Sequence, residues 1–312
     1  MMKILKNPLL LAVVRWFDSE AGMHADSGAD AAKVDWPRIL PLIVLHVMCL
    51  GVFWVGWSPA ALAVALTLYL IRMFAITGFY HRYFSHKSFR AGRVWQFFFA
   101  VMGNTAVQRG PLWWAAHHRH HHRYADQQED IHSPLRHGFL WSHIGWLTSK
   151  ENFKTQYRYI RDWMKYPELR WLNRFDTVVP ILLAAALYLL GELLAAKAPG
   201  LKTDGPQLLI WGFFVSTVLL LHGTFTINSL DHMFGSRRYD TPDTSRNNPW
   251  LALLTLGEGW HNNHHYYAVS AHQGFFWWEI DITYFLLKML SWIGIIYDLR
   301  KVPDSVRMPK TR

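Results

Sequence analysis

ILPLIVLHVMCLGVFWVGW at 39–57, SP at 58–59, AALAVALTLYLIRMFAITGFY at 60–80 and HRYFSH at 81–86 run without interruption. Each apolar stretch has about the 20 residues that a bilayer crossing needs, and the Ser58-Pro59 pair between them is a turn. The second stretch delivers the chain directly into His81 and His86. Further along, 178–196 and 208–227 form a second such pair, joined by the turn-rich KAPGLKTDGPQ. The pattern predicts an all-α integral membrane protein, with four transmembrane helices in two hairpins at about 39–57, 60–80, 178–196 and 208–227.

Lys and Arg gather on the cytoplasmic side of membrane proteins. The two outer loops hold only Lys197 and Lys202, while the N-terminus, 81–177 and the tail after Asn228 hold nearly all the rest. These regions therefore form a cytoplasmic helical cap, 81–177 and 228–312, within a single domain spanning 1–312. Mean hydropathy close to zero agrees with spans alternating with a large polar portion. Two more apolar segments, 94–107 and 282–297, are too short or too interrupted to cross; the second carries Lys288 and suits an interfacial helix. MMKILKNPLLLAVVRWF at the start reads as an uncleaved surface helix, since Arg15 interrupts its apolar run.

Eighteen histidines among 312 residues exceed what packing needs. They cluster as His81 and His86, as HHRHHH at 117–122, and as His261, His264 and His265 in HNNHH. Every cluster falls on the predicted cytoplasmic side. The single cysteine, Cys49, lies in an apolar stretch, which excludes disulfides and a thiolate zinc cluster, so a metal must be held by nitrogen and oxygen. HxxHH on a helix projects three imidazoles toward one point. His81 and His86, five apart, predict a helix end with one ring facing each of two metals. In 117–122 spacing leaves the register open between His117, His120, His121 and His118, His121, His122. Asn228 and His232 in NSLDH add an i, i+4 pair. Nine histidines and one amide exceed what one ion can use, so two metals are expected. Imidazole without cysteine suits iron, zinc, copper or nickel; the membrane setting with an apolar substrate favours redox-active iron. Asp126, Glu129, Asp130, Asp231 and Glu258 are candidates to accept the second ring N–H of ligating histidines.

The chain resembles the membrane-bound fatty acyl desaturases of the stearoyl-CoA desaturase type, from the first span to YDLRKV at 297–302. HRYFSH resembles that family's HRLWSH, NSLDHMFG its NSAAHLFG, GEGWHNNHH its GEGFHNYHH, and GFLWSHIGW at 138–146 the segment after its second box. The resemblance selects His118, His121 and His122, because His118 and His132 keep the family's offset to a later histidine. It implies a metal set of His81, His86, His118, His121, His122, His232, His261, His264 and His265, with Asn228 acting through a water. It also implies two non-haem iron ions, O2 as co-substrate, and insertion of a cis double bond, usually delta-9, into a long saturated acyl chain. His132 and His143 match family positions that are not ligand positions.

The substrate end departs from the animal pattern. QRGPLWWAAHHR keeps Gln108 but places Arg109, Gly110, Ala116 and His117 where QNDVYEWARDHR has Asn, Asp, Arg and Asp, which weakens the hold on a CoA headgroup and is closer to bacterial and cyanobacterial relatives, some of which act on acyl groups in membrane lipids; the expected carrier is CoA or a membrane lipid. Phe79 and Tyr80, bulky where the animal pattern has Gly-Ala, are expected to reshape the tunnel wall beside Gln108 and Arg109. No dinucleotide fingerprint, b5-like haem segment or iron–sulfur cysteine set is present, which implies an external donor such as a ferredoxin or a b5-like protein with its reductase. The net charge of +10 suits an acidic donor and anionic membrane lipid at a bacterial inner membrane, and no nucleic acid is implied. His46, His222 and Arg72 lie inside spans and read as satisfied or paired; His24, His137 and His272 read as surface residues, and Trp113, Trp114, Trp277 and Trp278 as interfacial anchors. The competing functions are a histidine-box hydroxylase or monooxygenase, which typically shows HxxxH or HExxH, and a non-catalytic metal-binding or transport protein, which would place ligands near the bilayer midplane.

Overall fold

A computed structural model describes residues 8–21 and 33–308; His24 and the first residues of the N-terminal segment lie outside them. The chain is mostly helical. After α1 (Pro8–Phe17) come two helices long and apolar enough to cross a membrane, α2 (Trp36–Val55) and α3 (Pro59–Ser85). Two more follow later, α8 (Val178–Lys197) and α9 (Gly205–His232). Their starts are chemically marked: Asp35, Ser58 and Asp204 each accept a hydrogen bond from a backbone N–H of the first turn, and proline sits just inside each helix.

α3 and α9 run past the last apolar residue and carry the histidines of HRYFSH and NSLDH on their own ends. Both also contain a wide, π-type stretch, Ala75–Ser85 in α3 and Leu209–Val215 in α9, a form concentrated at functional sites. α9 is the most enclosed of the four, with α2, α3 and α8 packed on it.

Arg72, fully buried in α3, is held by α9 and the chain after α4 (Arg93–Asn104): it donates to Thr217 Oγ1 at 2.7 Å, to Thr105 O at 3.3 Å and to Ser216 Oγ. A buried arginine without such acceptors would be strongly destabilising.

Apart from single turns, the other helices form a layer over these ends: α4, α5 (Pro111–Tyr124), α6 (Phe139–His143), α7 (Pro167–Arg174), α10 (Pro249–Leu254), α11 (His261–Tyr266) and α12 (Ile282–Trp292). A two-stranded ribbon, β1 (Arg90–Ala91) against β2 (Ile296–Tyr297), ties the tail to the start of this layer. α4 and α12, with 12 and 11 residues, are too short to cross a bilayer, as their sequences predict. The main core is aromatic: Tyr80, Tyr83, Phe84, Phe89, Phe99 and Trp163 pack where the end of α3 meets α4, α5 and α7.

α8 and α9 cross closely at Gly191, where a Cβ would stand 2.2 Å from Asp204 O. Backbone cannot yield as a flexible side chain would. Gly191→Leu is therefore expected to cost about 1–3 kcal/mol or more, seen as a lower thermal midpoint of detergent-solubilised protein; an unchanged midpoint would show the crossing to be looser than described.

Candidate metal centre

The wide end of α3 changes how HRYFSH reads. The His86 N–H donates to His81 O at 3.2 Å, an i to i+5 bond, so residues five apart come round to the same side. His81 and His86 thus face one pocket, their Nε2 atoms 3.1 Å apart, and not two metals as an ordinary helix end predicts. His118, His122 and His264 complete this first group, with Nε2 to Nε2 distances of 2.7 Å for His86–His118, 3.0 Å for His81–His264 and 2.9 Å for His264–His122.

A second group holds His121, His232, His261 and His265, with His232 and His261 Nε2 3.1 Å apart. Each HxxHH box is therefore divided and does not converge on one point. With roughly 100° per residue, adjacent box histidines diverge enough to face two pockets. On α5, His118 and His122 enter the first group and His121 the second; on α11, His261 and His265 enter the second and His264 the first. His117 and His120 turn elsewhere: the His117 Nε2–H donates to Lys154 O at 3.1 Å, and His120 lies against Tyr124 and Tyr159.

Carboxylates fix the outer nitrogen of four rings. The Nδ1–H of His121 donates to Asp130 at 3.0 Å, that of His232 to Asp126 at 3.3 Å, that of His265 to Asp243 at 2.9 Å, and that of His81 to Glu258. Their Nε2 atoms are then lone pairs aimed into the pockets. Burial pushes the Asp126, Asp130 and Asp243 carboxyls up, but the histidine contacts outweigh it and hold all three below the usual carboxylate range. Burial, then neighbouring rings, hold His86, His118, His122, His261 and His264 well below the ordinary imidazole value. His265 is lowered to about 4 by burial, which outweighs Asp243, and its buried Nε2 has no hydrogen-bond partner. Ring nitrogens turned toward one another at about 3 Å in two groups fit two dications, with nitrogen donors of the kind iron accepts.

Of the predicted carboxylates, Glu129 is exposed, and Asp231 is buried with neither carboxylate oxygen hydrogen-bonded. Sequence reading missed Asp243 and Gln273. Asp243 sits in a loop with no spacing relation to any box, and Gln273 Nε2 approaches Glu258 at 3.1 Å and the Nδ1 atoms of His81 and His264 at 3.4 Å. In GEGWHNNHH, Gly257 has φ +126° with Asp281 against it, and a Cβ on Gly259 would stand 2.1 Å from Ala252 N. Only glycine permits the tight turn that aims Glu258 at His81 and Arg82.

A cavity of about 550 Å³ reaches both groups, at His81 and His118 on one side and His121 and His261 on the other. Its walls are largely apolar, from Leu42, Leu45, Ile76, Phe213, Leu221 and Phe225, with Gln108, Arg109 and Asn228 among the polar ones. Arg109 pairs with Asp176 at 3.1 Å, and Gln108 donates to Thr224 Oγ1 at 2.9 Å. Val107, with φ +58°, strains the backbone beside them.

The model of the family described as fatty acid desaturase matches residues 36–284. The chain belongs to the fatty acid desaturase family. Among curated relatives, it is 38% identical to "Acyl-CoA 5-desaturase AL21" of Anemone leveillei, over 89% of this chain and 86% of the relative. It is 34% identical to "sn-1 stearoyl-lipid 9-desaturase" of Synechocystis sp., over 98% of this chain and 92% of the relative, and 34% identical to "Palmitoyl-monogalactosyldiacylglycerol delta-7 desaturase, chloroplastic" of Arabidopsis thaliana, over 88% and 71%.

In this desaturase, Phe79 and Tyr80 are not on the cavity wall as predicted. The turn of α3 that puts Ile76, Thr77 and His81 at the cavity directs these two into the aromatic core: Phe79 stacks on Phe99, and Tyr80 fits over Gly103, leaving no room for a Cβ there. Trp113 and Trp114 are cavity residues and not interfacial anchors; Trp113 is buried, stacks on Trp146 and donates to Asn152 O at 2.8 Å. Trp277 is 88% exposed. His46, His222 and His143 satisfy one another in a row, at 3.1 and 2.9 Å.

Two outcomes follow for the purified desaturase. His118→Ala is expected to lower bound metal toward one ion per chain and His120→Ala to leave it unchanged, by elemental analysis; the reverse would mean the other box register. His117 and His132 are lowered to about 3, chiefly by burial, against about 6.5 unfolded. The unfolded chain therefore binds more protons between these values, and stability falls as pH drops through that window. The thermal midpoint of metal-free protein should decline from pH 7 to pH 5; a flat profile would contradict the burial of neutral rings.

Proposed function

We propose that this protein is an O2-dependent fatty acyl desaturase, which forms a cis double bond in a long saturated acyl chain. The observation that carries the proposal is a largely apolar cavity leading to two adjoining groups of imidazoles, four of them backed by carboxylates. His81, His86, His118, His122 and His264 would hold one iron ion and His121, His232, His261 and His265 the other, with Asn228 acting through a water, and the pair would supply the oxidising power that an unactivated C–H bond requires. The balance is –CH2–CH2– plus O2, two electrons and two protons, giving –CH=CH– and two waters. The cavity walls do the rest: they exclude water and hold one pair of methylenes beside the histidines.

Bond position is then the distance from the polar end of the cavity, at Gln108 and Arg109, to the histidine groups. The Synechocystis relative, covering 98% of this chain, supports delta-9. The acyl carrier is CoA or a membrane lipid. Pro41 and Val44 of α2 and Ile181 of α8 both line the cavity and face outward, which supports a chain presented from the bilayer. The four long helices form two hairpins in a bacterial inner membrane, with both termini, the helical layer and the histidines on the cytoplasmic side, where the charge of +10 draws an acidic donor such as a ferredoxin or a b5-like protein.

The test is expression in a host lacking its own desaturase, with intact protein or His264→Ala and double bonds located by mass spectrometry. A monounsaturated acid formed by the intact protein alone is expected. Hydroxylated acids would point to a hydroxylase, and no product from iron-loaded protein with a donor supplied would reject acyl oxidation.

A further inference from the structure

The two imidazole groups differ in what stands behind them. In the four-histidine group, three rings donate their outer N–H to carboxylates, His121 to Asp130, His232 to Asp126 and His265 to Asp243. These three aspartates are buried, and among the described residues no lysine or arginine forms an ion pair with them. In the five-histidine group one ring, His81, meets a carboxylate, Glu258. That charge is shared: Arg82 holds Glu258 at 2.9 Å and Asp281 at 3.0 Å. The other approach from behind is the neutral amide of Gln273, 3.4 Å from the Nδ1 atoms of His81 and His264.

A carboxylate behind an imidazole makes its free nitrogen a stronger donor and adds negative charge near the bound cation. The fifth ring of the larger group adds a ligand but no charge. Three carboxylates that share their charge with no arginine or lysine among the described residues therefore outweigh one that shares it with Arg82 and one extra ring that adds no charge. From this asymmetry we infer that the two metal positions are unequal, that the four-histidine pocket binds a divalent cation first and more tightly, and that Asp126, Asp130 and Asp243 are the positioning residues that set this order. The inference rests on the two-metal reading proposed above and adds which pocket fills first.

The cavity reaches histidines of both groups and has Asn228 on its wall, so either position stands open to the substrate space and the order is set from behind the rings. The five-histidine pocket is the one that empties when metal is scarce.

The experiment is anaerobic titration of full-length, metal-free protein in detergent with Co2+, followed by calorimetry and visible absorbance, with no turnover needed. Two steps of one equivalent each are expected, the first at least tenfold tighter. Asp130→Asn and Asp243→Asn should each weaken the first step about 10- to 100-fold and spare the second, while Glu258→Gln should act on the second alone. In His86→Ala, which takes a ring from the five-histidine pocket only, the tight step should survive; its loss there overturns the inference even if the aspartate variants fail to fold. Two equal steps, or an Asp243→Asn effect confined to the weaker step, would also overturn it while leaving the two-metal reading intact. Binding of fewer than two equivalents would overturn both.

Discussion

Nine imidazoles with their free nitrogens turned inward are a repulsive arrangement on their own. Nε2 atoms 2.7 to 3.1 Å apart cannot all be joined by hydrogen bonds when the outer N–H of a ring is already committed to Glu258, Asp126, Asp130 or Asp243. The constraint that organises the molecule is therefore the need to hold together nitrogen donors that repel one another, in two groups able to take a metal ion. Two of the four helices long and apolar enough to cross a membrane end in histidines, and the helical layer supplies the rest.

Holding the donors requires local departures from regular structure. The wide final turns of α3 bring His81 and His86 to one pocket. Glycines at 257 and 259 fold the backbone tightly enough to set Glu258 under His81 and Arg82. Asp126, itself at φ +58°, takes contacts from His232 and Thr244 and so links the α5 side of the site to the end of α9. Each device costs backbone freedom or strain, and each is located at the site.

Much of this was legible in the sequence. Length and apolarity marked the four long helices, clustering and spacing marked the histidine boxes, resemblance to the family chose His118, His121 and His122 within 117–122, and ligand chemistry pointed to Asp126, Asp130 and Glu258. What spacing could not convey was backbone geometry. A five-residue interval reads as divergent on an α-helix and convergent on a wider one, and HxxHH reads as one cluster until a second pocket stands beside it. Phe79 and Tyr80 were misplaced for the same reason, since the turn they occupy decides whether they meet the cavity or the core. Asp243 and Gln273 carry no signal at all in sequence, because loops unrelated to the boxes bring them in.

Desaturation and its nearest relative, hydroxylation, differ in the fate of the oxygen. Loss of a second hydrogen from the adjacent carbon leaves no oxygen on the chain, whereas hydroxylation transfers one atom of O2 to it. The most direct test is a single turnover of iron-loaded protein with 18O2, a saturated acyl substrate and two electrons. The account predicts that the product alkene carries no label and that both heavy oxygen atoms are recovered in water. Label retained on the acyl chain as a hydroxyl group would contradict it.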